Sequence, residues 1–197
     1  MGIFYVISGP SGAGKTTILK RILESVENLT FSVSYTTRPK RPNEVEGVDY
    51  FFVSEDEFKA LAKKGEFVEW ALVHGYYYGT SKKFIEEKLS NGFDIVLDID
   101  VQGALNIMQK YNNAVFVFLA PPSFESLKER LRKRKTESEK DFLKRVEDAK
   151  WELSKIPLFD YLVINDSVEV AVKNIESIIR AERLKIERFK TDGGEYI

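Results

Sequence analysis

Cysteine is absent from this chain of 197 residues, and histidine occurs only once. Without cysteine the protein cannot form a disulfide, use a thiolate nucleophile or bind a metal through sulfur. The single histidine, His74, leaves no histidine cluster for a metal centre, and its neighbour Gly75 indicates a surface turn. The composition therefore excludes thiol chemistry and metal centres built on cysteine or on several histidines.

An excess of charge of one sign is also absent. The 30 lysines and arginines nearly balance the 31 aspartates and glutamates, which gives a net charge of −1. Because broad nucleic-acid binding usually requires a basic surplus, we expect no nucleic-acid partner. A small anionic ligand needs only local charge, so that class of partner stays open.

Long hydrophobic runs are missing as well. No apolar run approaches the ~20 residues of a membrane-spanning helix, and Met1-Gly2-Ile3-Phe4-Tyr5 has no basic leader. We therefore expect a cytoplasmic protein without a membrane partner. The sequence leaves the oligomeric state open between monomer and dimer.

Short apolar runs alternate with helical patterns along the chain. A strand predicted over 3–8 leads into a glycine-rich turn and a helix over 15–26. Further apolar runs lie at 95–97, 115–119 and 161–164, each separated from the next by a helix-length segment. This alternation predicts an α/β fold with a parallel sheet covered by helices on both faces.

Two regions depart from the alternation. Residues 30–80 are rich in aromatic and β-branched residues, and Ser54 with Glu57 has the spacing of a capping box for a helix that ends at Gly65. Residues 123–156 are densely charged and helical, with Ser138 as an expected helix cap. The first region predicts a small mixed lobe. The second fits either solvated helix faces or a mobile lid that carries arginines.

A last helix is expected near the C-terminus. We predict that it begins after Asp166, that Glu169 completes a capping box, and that it reaches about Phe189. The tail beyond carries two glycines and few apolar groups, so we expect residues 188–197 to be flexible.

The glycine-rich turn matches the phosphate-loop pattern G-x-x-x-x-G-K-[ST]. Its residues are Gly9-Pro10-Ser11-Gly12-Ala13-Gly14-Lys15-Thr16. In such a loop the backbone N–H groups and the helix N-terminus surround phosphate oxygens, the lysine neutralises charge and the hydroxyl binds Mg²⁺. A plain glycine-rich turn with a surface lysine is the alternative. The position between a strand and a helix favours phosphate binding, but it does not identify the acceptor.

Candidate acceptor-binding residues follow the loop. An anion-binding set lies within one segment: Ser34, Arg38, Arg41 and Tyr50. Guanidinium groups can bond two phosphate oxygens at once, although such arginines are also common as surface charge. Glu69 lies in an apolar strand-like run, where a carboxylate needs a donor partner. That partner is either a nearby lysine or guanine, whose N1–H and 2-amino group are two adjacent donors, whereas adenine N1 carries no hydrogen and its C2 carries no amine.

Two aspartates follow the apolar run at 95–97. Asp98 and Asp100 would lie at the carboxyl end of the strand, where α/β sheets bind ligands. An acid at this point is typical of the Mg²⁺-associated aspartate of phosphate-loop enzymes. The alternative is a pair of aspartates that cap the next helix.

These motifs together resemble the guanylate kinase family over about residues 2–187. The motifs that carry the resemblance are the phosphate loop, Ser34-Tyr35-Thr36-Thr37-Arg38, Gly47-Val48-Asp49-Tyr50-Phe51-Phe52, Glu69-Trp70-Ala71, Tyr77-Tyr78-Gly79-Thr80, Leu97-Asp98-Ile99-Asp100-Val101-Gln102-Gly103 and Asn165-Asp166. The resemblance implies reversible transfer of the γ-phosphoryl group of ATP to GMP or dGMP. It also implies one phosphate-loop domain with a parallel five-stranded core (1–30, 81–122 and 157–187), a GMP-binding lobe (31–80) and a helical lid (123–156).

The resemblance also implies roles for individual residues. Those that hold the GMP phosphate would be Arg38, Arg41, Tyr50 and Tyr78. Those that read the guanine edge would be Ser34, Glu69, Thr80 and Asp100. ATP would be bound by residues 9–16 and by Asn165 near the adenine, with Mg²⁺ at Thr16. The catalytic residues would be Lys15, Arg38, Asp98 and the lid arginines Arg134 and Arg145.

Two positions depart from the family pattern. Thr80 replaces the serine of some members and keeps the hydroxyl, so we expect no loss there. Lys135 stands where many members have a glycine in the lid, and it is expected to stiffen the turn or to change lid kinetics.

Two rival functions remain on the residues alone. A peptide-binding scaffold domain related to these kinases would lack a working phosphate loop, whereas this chain keeps Gly9, Gly14, Lys15 and Thr16. A kinase for a sugar phosphate would not need the set of residues implied to read guanine. Both rivals are therefore disfavoured.

Overall fold

The computed structural model describes residues 1–73, 75–132 and 139–188. His74, Arg134, Lys135, Ser138 and the tail at 189–197, on which sequence predictions fall, lie outside the described residues. Within those ranges the elements in chain order are β1 (Phe4–Ser8), α1 (Lys15–Ser25), β2 (Leu29–Phe31), β3 (Ser34–Thr36), β4 (Tyr50–Phe52), α2 (Glu55–Lys63), β5 (Phe67–Val73), β6 (Tyr76–Ser81), α3 (Lys82–Ser90), β7 (Asp94–Asp98), α4 (Val101–Met108), β8 (Val115–Ala120), α5 (Phe124–Arg132), α6 (Glu139–Leu153), β9 (Tyr161–Ile164) and α7 (Val168–Arg183). Two short 3-10 helices, Ile156–Leu158 and Ile186–Arg188, follow α6 and α7.

The core is a five-stranded parallel sheet in the order β2-β7-β1-β8-β9. Side chains alternate along β1: Tyr5 and Ile7 pack with α1 and α7, whereas Phe4 and Val6 pack with α3 and α4. Because both faces are covered, every residue of β1 and of β8 is buried. This confirms the predicted fold class. The edge strand β2 was not predicted, since three residues are too few to show a periodic pattern.

A second, mixed sheet runs in the order β4-β3-β6-β5. Only β3 and β4 are parallel, and the other pairs are antiparallel. The predicted capping box of α2 is present: Ser54 Oγ accepts from the Glu57 backbone N–H at 3.2 Å, and the Glu57 carboxylate accepts from the Ser54 N–H at 2.9 Å. The helix is followed by Gly65 in the left-handed region at φ 73°.

The predicted bounds of the last helix were wrong at both ends. Ser167, not Asp166, is the N-terminal cap, and Glu169 accepts hydrogen bonds from Arg21 and Ser167 instead of closing a capping box. The helix ends at Arg183 because the chain then turns back over Glu182, which is 1% exposed. Lys185 and Arg188 pair with that buried carboxylate, which requires a cationic partner.

Within the described ranges, no helix combines the length and the apolar composition needed to cross a membrane.

Candidate active site

The phosphate-loop sequence forms the connection between β1 and α1, as its pattern predicts. Gly14 is the N-terminal cap of α1 in the left-handed conformation, at φ 95° and ψ 18°, and no side chain caps the helix. An added Cβ at Gly9 would lie 2.1 Å from the Leu119 carbonyl oxygen, so only glycine fits beside β8. The loop thus leaves the positive end of α1 available to an anion.

Lys15, the first residue of α1, lies next to Asp98, the last residue of β7. Lys15 Nζ donates to the Gly9 carbonyl at 2.6 Å and lies 3.9 Å from Asp98 Oδ1. Burial raises the pKa of the Asp98 carboxyl, and the Lys15 cation opposes that rise. The lysine is therefore folded onto its own loop, with its charge beside an aspartate at the carboxyl end of a parallel strand.

A cavity of about 700 Å³ opens over the loop. The described residues that line it are Gly9, Pro10, Ser11, Gly12, Gly14, Lys15, Thr16, Thr17, Tyr50, Val73, Asp98, Ile99, Asp100, Arg145, Asp148 and Glu152. Arg145 on α6 donates from Nη2 to Ser11 Oγ at 2.7 Å. The structure thus brings a predicted lid arginine directly to the phosphate loop.

Sequence reasoning missed two acidic residues of this cavity, Asp148 and Glu152. Both follow Arg145 on α6, three and seven residues later, so the helical repeat puts all three on one face. Burial raises the pKa of the Glu152 carboxyl to about 7, and the Lys15 cation opposes the rise. The spacing from Arg145 was the available signal, but a charged helix shows no preference for one face until its packing is known.

A second cavity of about 230 Å³ lies between the two sheets. The described residues that line it are Phe31, Ser34, Asp49, Tyr50, Glu69, Ala71, Val73, Tyr78, Thr80, Asp98, Ile99 and Asp100. Five of these also line the large cavity: Tyr50, Val73, Asp98, Ile99 and Asp100. The two cavities therefore adjoin, with Asp98 at the end of β7 and Asp100 just beyond it at their common wall.

Three side chains from three strands converge on the small cavity. Thr80 on β6 pairs in register with Ser34 on β3 and with Glu69 on β5. Thr80 Oγ1 donates to Glu69 Oε1 at 2.8 Å. An irregularity in the register between Phe67 and Glu69 interrupts the alternation of β5, so three consecutive residues are buried and Glu69 faces inward at 7% exposure.

The carboxylate of Glu69 is buried, and within the described residues it has no cationic hydrogen-bond partner. Burial raises its pKa to about 7, while the Thr80 hydroxyl lowers it, Asp100 raises it and Lys110 lowers it. Lys110 donates from Nζ to the Val68 carbonyl, not to Glu69. The structure therefore disfavours the alternative in which a lysine pairs with this carboxylate.

Asp100 combines two of the roles that the sequence left open. Its carboxylate accepts from the Gly103 backbone N–H at 2.7 Å and caps α4. It also lines both cavities, as does Asp98, which does not cap the helix. The sequence alternative of two capping aspartates thus holds for Asp100 alone.

The two arginines of the predicted anion site are not among the described residues that line either cavity. Arg38 Nη2 donates to Glu44 Oε1 at 2.6 Å, and this contact raises the pKa of the guanidinium. The same guanidinium lies 5.5 Å from the centroid of the Tyr50 ring. Arg41 is exposed, and its backbone N–H donates to Glu44 at 2.9 Å. Sequence reasoning missed Glu44, which organises this segment.

Asn165 is not one of the described residues that line the two cavities. It is 4% exposed, and its Nδ2 donates to the Ala13 carbonyl at 2.7 Å. The structure therefore places this predicted nucleotide contact against the back of the phosphate loop.

The donor atoms of the large cavity fit Mg²⁺. They include oxygens from the Thr16 hydroxyl and from the carboxylates of Asp98, Asp100, Asp148 and Glu152. In the part of the chain that the structure describes, no group of three or more His, Cys, Asp or Glu side chains could hold a metal by itself. Mg²⁺ commonly keeps several waters and binds one or two protein groups together with substrate phosphates. The residues thus suit a metal that arrives with a nucleotide.

Comparison with known proteins agrees with this geometry. Residues 2–182 match the protein-family model for guanylate kinase. The guanylate kinase of Thermotoga maritima is 54% identical, over 97% of this chain and 96% of that protein. That of Caldanaerobacter subterraneus subsp. tengcongensis is 48% identical, over 96% and 92%. A crystal structure of guanylate kinase from Anaplasma phagocytophilum superposes with a TM-score of 0.77 at 35% identity, over 94% of this chain and 88% of that chain.

Proposed function

The chain belongs to the guanylate kinase family, whose reaction is the ATP-dependent phosphorylation of GMP, and we propose how its two cavities divide that reaction between them. The large cavity binds the triphosphate of ATP, and the small cavity binds the guanine of GMP. The residues shared by both cavities would lie where the γ-phosphoryl group meets the GMP phosphate. Juxtaposition of the two substrates supplies much of the rate, since positioning is the main work in phosphoryl transfer.

On the donor side, the phosphate loop and Lys15 hold the triphosphate. The uncapped N-terminus of α1 supports this assignment, as does the position of Lys15 beside the cavity. Mg²⁺ would be held by Thr16 together with ATP phosphates and water, and Asp98 would orient that water shell. When bound, the metal neutralises charge on the β- and γ-phosphates.

On the acceptor side, Glu69 reads guanine. Its carboxylate would accept the N1–H and the exocyclic amine, with Thr80, Ser34 and Asp100 completing the edge. Adenine would leave this buried carboxylate with the Thr80 hydroxyl but without the two donors of guanine, which is a strong form of discrimination. The GMP phosphate would be held by Tyr50, Tyr78, Arg38 and Arg41. To bind it, Arg38 must leave its ion pair with Glu44 and pair with the phosphate instead.

Transfer needs no general base in this arrangement, because the attacking phosphate oxygen of GMP is already anionic. Arg145 donates to Ser11 on the phosphate loop, so its guanidinium is within reach of the transferring group. We propose that Arg145, with Arg134 from the segment outside the described residues, stabilises charge that develops on the equatorial oxygens. Closure of the lid at 123–156 over the core would exclude water and prevent wasteful hydrolysis of ATP.

The observation that carries this assignment is the buried Glu69–Thr80 pair in a cavity that adjoins the phosphate-loop cavity. A coupled assay of ADP release with ATP·Mg²⁺ and each of GMP, dGMP, AMP, CMP and UMP tests it. Turnover confined to GMP and dGMP supports guanine reading by this pair. Equal turnover with AMP would remove that role, and no turnover from folded protein would contradict the whole assignment.

Several finer expectations stay predictions. They are phosphorylation of dGMP, reversibility, the division into core, lobe and lid at the stated bounds, the cytoplasmic location and the absence of a nucleic-acid partner. The oligomeric state stays open.

A further inference from the structure

Asn165 makes three hydrogen bonds at the carboxyl end of β9, and none of them requires a nucleotide. Its backbone N–H donates to the Ala120 carbonyl at 2.7 Å. Its side-chain Nδ2 donates to the Ala13 carbonyl at 2.7 Å, and its backbone carbonyl accepts from Arg130 Nη2 at 3.1 Å. The residue is 4% exposed. The side-chain amide nitrogen and both polar groups of the backbone of Asn165 are therefore bound to protein groups.

The carbonyl that Asn165 binds belongs to the peptide between Ala13 and Gly14. In a trans peptide the C=O and the following N–H point in opposite directions. Holding the Ala13 oxygen against Asn165 therefore turns the Gly14 N–H away from Asn165. Gly14 lines the large cavity, whereas Ala13 is fully buried. Asn165 thus keeps the dipole of the Ala13 carbonyl out of the phosphate site, and the peptide presents the Gly14 N–H there instead.

The residue type at position 14 is matched to this contact. An added Cβ at Gly14 would lie 2.4 Å from Asn165 Nδ2, closer than side chains approach one another. Gly14 also has φ 95°, a conformation that side chains rarely adopt. The loop and the asparagine are therefore packed so tightly that neither leaves space for a larger group.

The same contact links the phosphate loop to α5 at the base of the lid region. Arg130 on α5 donates a hydrogen bond to the backbone carbonyl of Asn165. On the same helix Leu127 and Leu131 lie 3.3 Å and 3.6 Å from the position of an added Cβ at Gly12. A continuous set of contacts thus runs from α5 through Asn165 to the Ala13–Gly14 peptide.

We propose that Asn165 is a positioning residue that fixes the orientation of the Ala13–Gly14 peptide for phosphate binding. This inference rests on the proposed function only in assigning the triphosphate to the loop. It adds to the role implied by family resemblance a consequence for the donor: every triphosphate should depend on Asn165, whatever its base.

The test uses Asn165→Asp and Asn165→Ala in the full chain. Aspartate keeps the shape but cannot donate to the Ala13 carbonyl and repels it, and alanine removes the contact without adding charge. Asn174→Asp, at an exposed position of α7, makes the same charge change as a matched control. Calorimetric binding of inorganic tripolyphosphate, which has no base, is measured beside kcat and KM for ATP, ITP and CTP with GMP as acceptor.

We expect both Asn165 variants to weaken tripolyphosphate binding by about tenfold or more. The kcat/KM values for ATP, ITP and CTP should all fall by about tenfold or more, while the KM for GMP and the behaviour of Asn174→Asp stay near wild type. A loss confined to ATP, with tripolyphosphate binding unchanged, would overturn the proposal in favour of adenine reading. Unchanged tripolyphosphate binding in folded Asn165 variants would also overturn the proposal. This measurement needs no turnover, so its outcome is distinct from a failure of the wild-type chain to phosphorylate GMP.

Discussion

The phosphate-loop cavity and the guanine cavity are built in opposite ways. Half of the residues that line the first lie in one segment, residues 9–17, which includes the N-terminus of α1. The second takes single side chains from β3, β5 and β6 and from the residues after β7. The comparison teaches that the donor site is built around one continuous segment, whereas acceptor reading depends on the register of a small sheet. Changes in the first should abolish the reaction, and changes in the second should redirect it.

The largest effect is expected from Lys15→Ala. The lysine supplies the cation between phosphates in the site where charge develops, so we expect kcat to fall by about 10³-fold or more. Steady-state kinetics with saturating GMP measures the loss. Lys20→Ala, an exposed lysine of α1, is the matched control and should stay near wild type. If Lys15→Ala retained a tenth of wild-type turnover, the donor assignment of this loop would be wrong.

The next effect is expected from Glu69→Gln, which tests the second cavity. The amide presents one acceptor and one donor, so it cannot accept both donors of guanine. We expect kcat/KM for GMP to fall by about 10²-fold and the preference for GMP over AMP to shrink with it. The KM for ATP should change little.

Glu66→Gln is the control for this change, because Glu66 lies exposed three residues earlier. Assays with GMP and AMP on both variants separate specificity from folding. An unchanged ratio between the two acceptors in Glu69→Gln would end the base-reading role.

A smaller effect is expected from pH. Guanine binding needs the ionised carboxylate, and burial raises the pKa of Glu69 to about 7, with Asp100 raising it and Lys110 and Thr80 lowering it. The affinity for GMP should therefore be full above that value and be lost as pH falls through it, by about tenfold per unit well below it. Calorimetry with GMP between pH 5.5 and 8.5 measures the trend.

The phosphate of GMP titrates near pH 6 as well, so the pH profile needs a reference. Glu69→Gln binds the same phosphate without the carboxylate, and the ratio of the two profiles isolates Glu69. Parallel profiles for wild type and variant would contradict the assignment.

The smallest effect is expected from Thr80→Val. Removing the hydroxyl that donates to Glu69 costs one hydrogen bond, and we expect KM for GMP to rise by about 2- to 10-fold. Because that hydroxyl lowers the pKa of Glu69, its loss should also move the pH midpoint upward. Thr80→Ser keeps the donor and should behave as wild type in both measurements. A pH midpoint that does not move in Thr80→Val would show that the pair is not coupled.

The sequence anticipated the core more fully than the lobe. Apolar runs and helical spacing predicted β1, β7, β8 and β9 because buried parallel strands have a strong compositional signal. The three-residue strands β2, β3 and β4 and the bounds of α7 escaped prediction. Short strands carry no period, and the end of α7 is set by the burial of Glu182 under Lys185 and Arg188, which are tertiary contacts.

The candidate site shows the same division. Resemblance pointed to Glu69, but only the irregular register of β5 explains why a charged side chain faces inward there. Glu44, Asp148 and Glu152 were missed because an acidic residue on a charged segment looks like ordinary surface. Asn165 was noticed, yet its contact with Ala13 joins residues 152 positions apart, a relation that no local pattern contains.

By itself the sequence determined the phosphate loop, since backbone conformation there follows from glycine spacing and from a strand and helix that are adjacent in the chain. It also determined the α/β class and, through its motifs, the family. Only the tertiary structure decided which carboxylates are buried, which arginine pairs with Glu44 and which asparagine holds the loop. Burial and long-range pairing arise when distant segments pack, and packing sets the local dielectric and the available partners on which the chemistry of a buried charge depends.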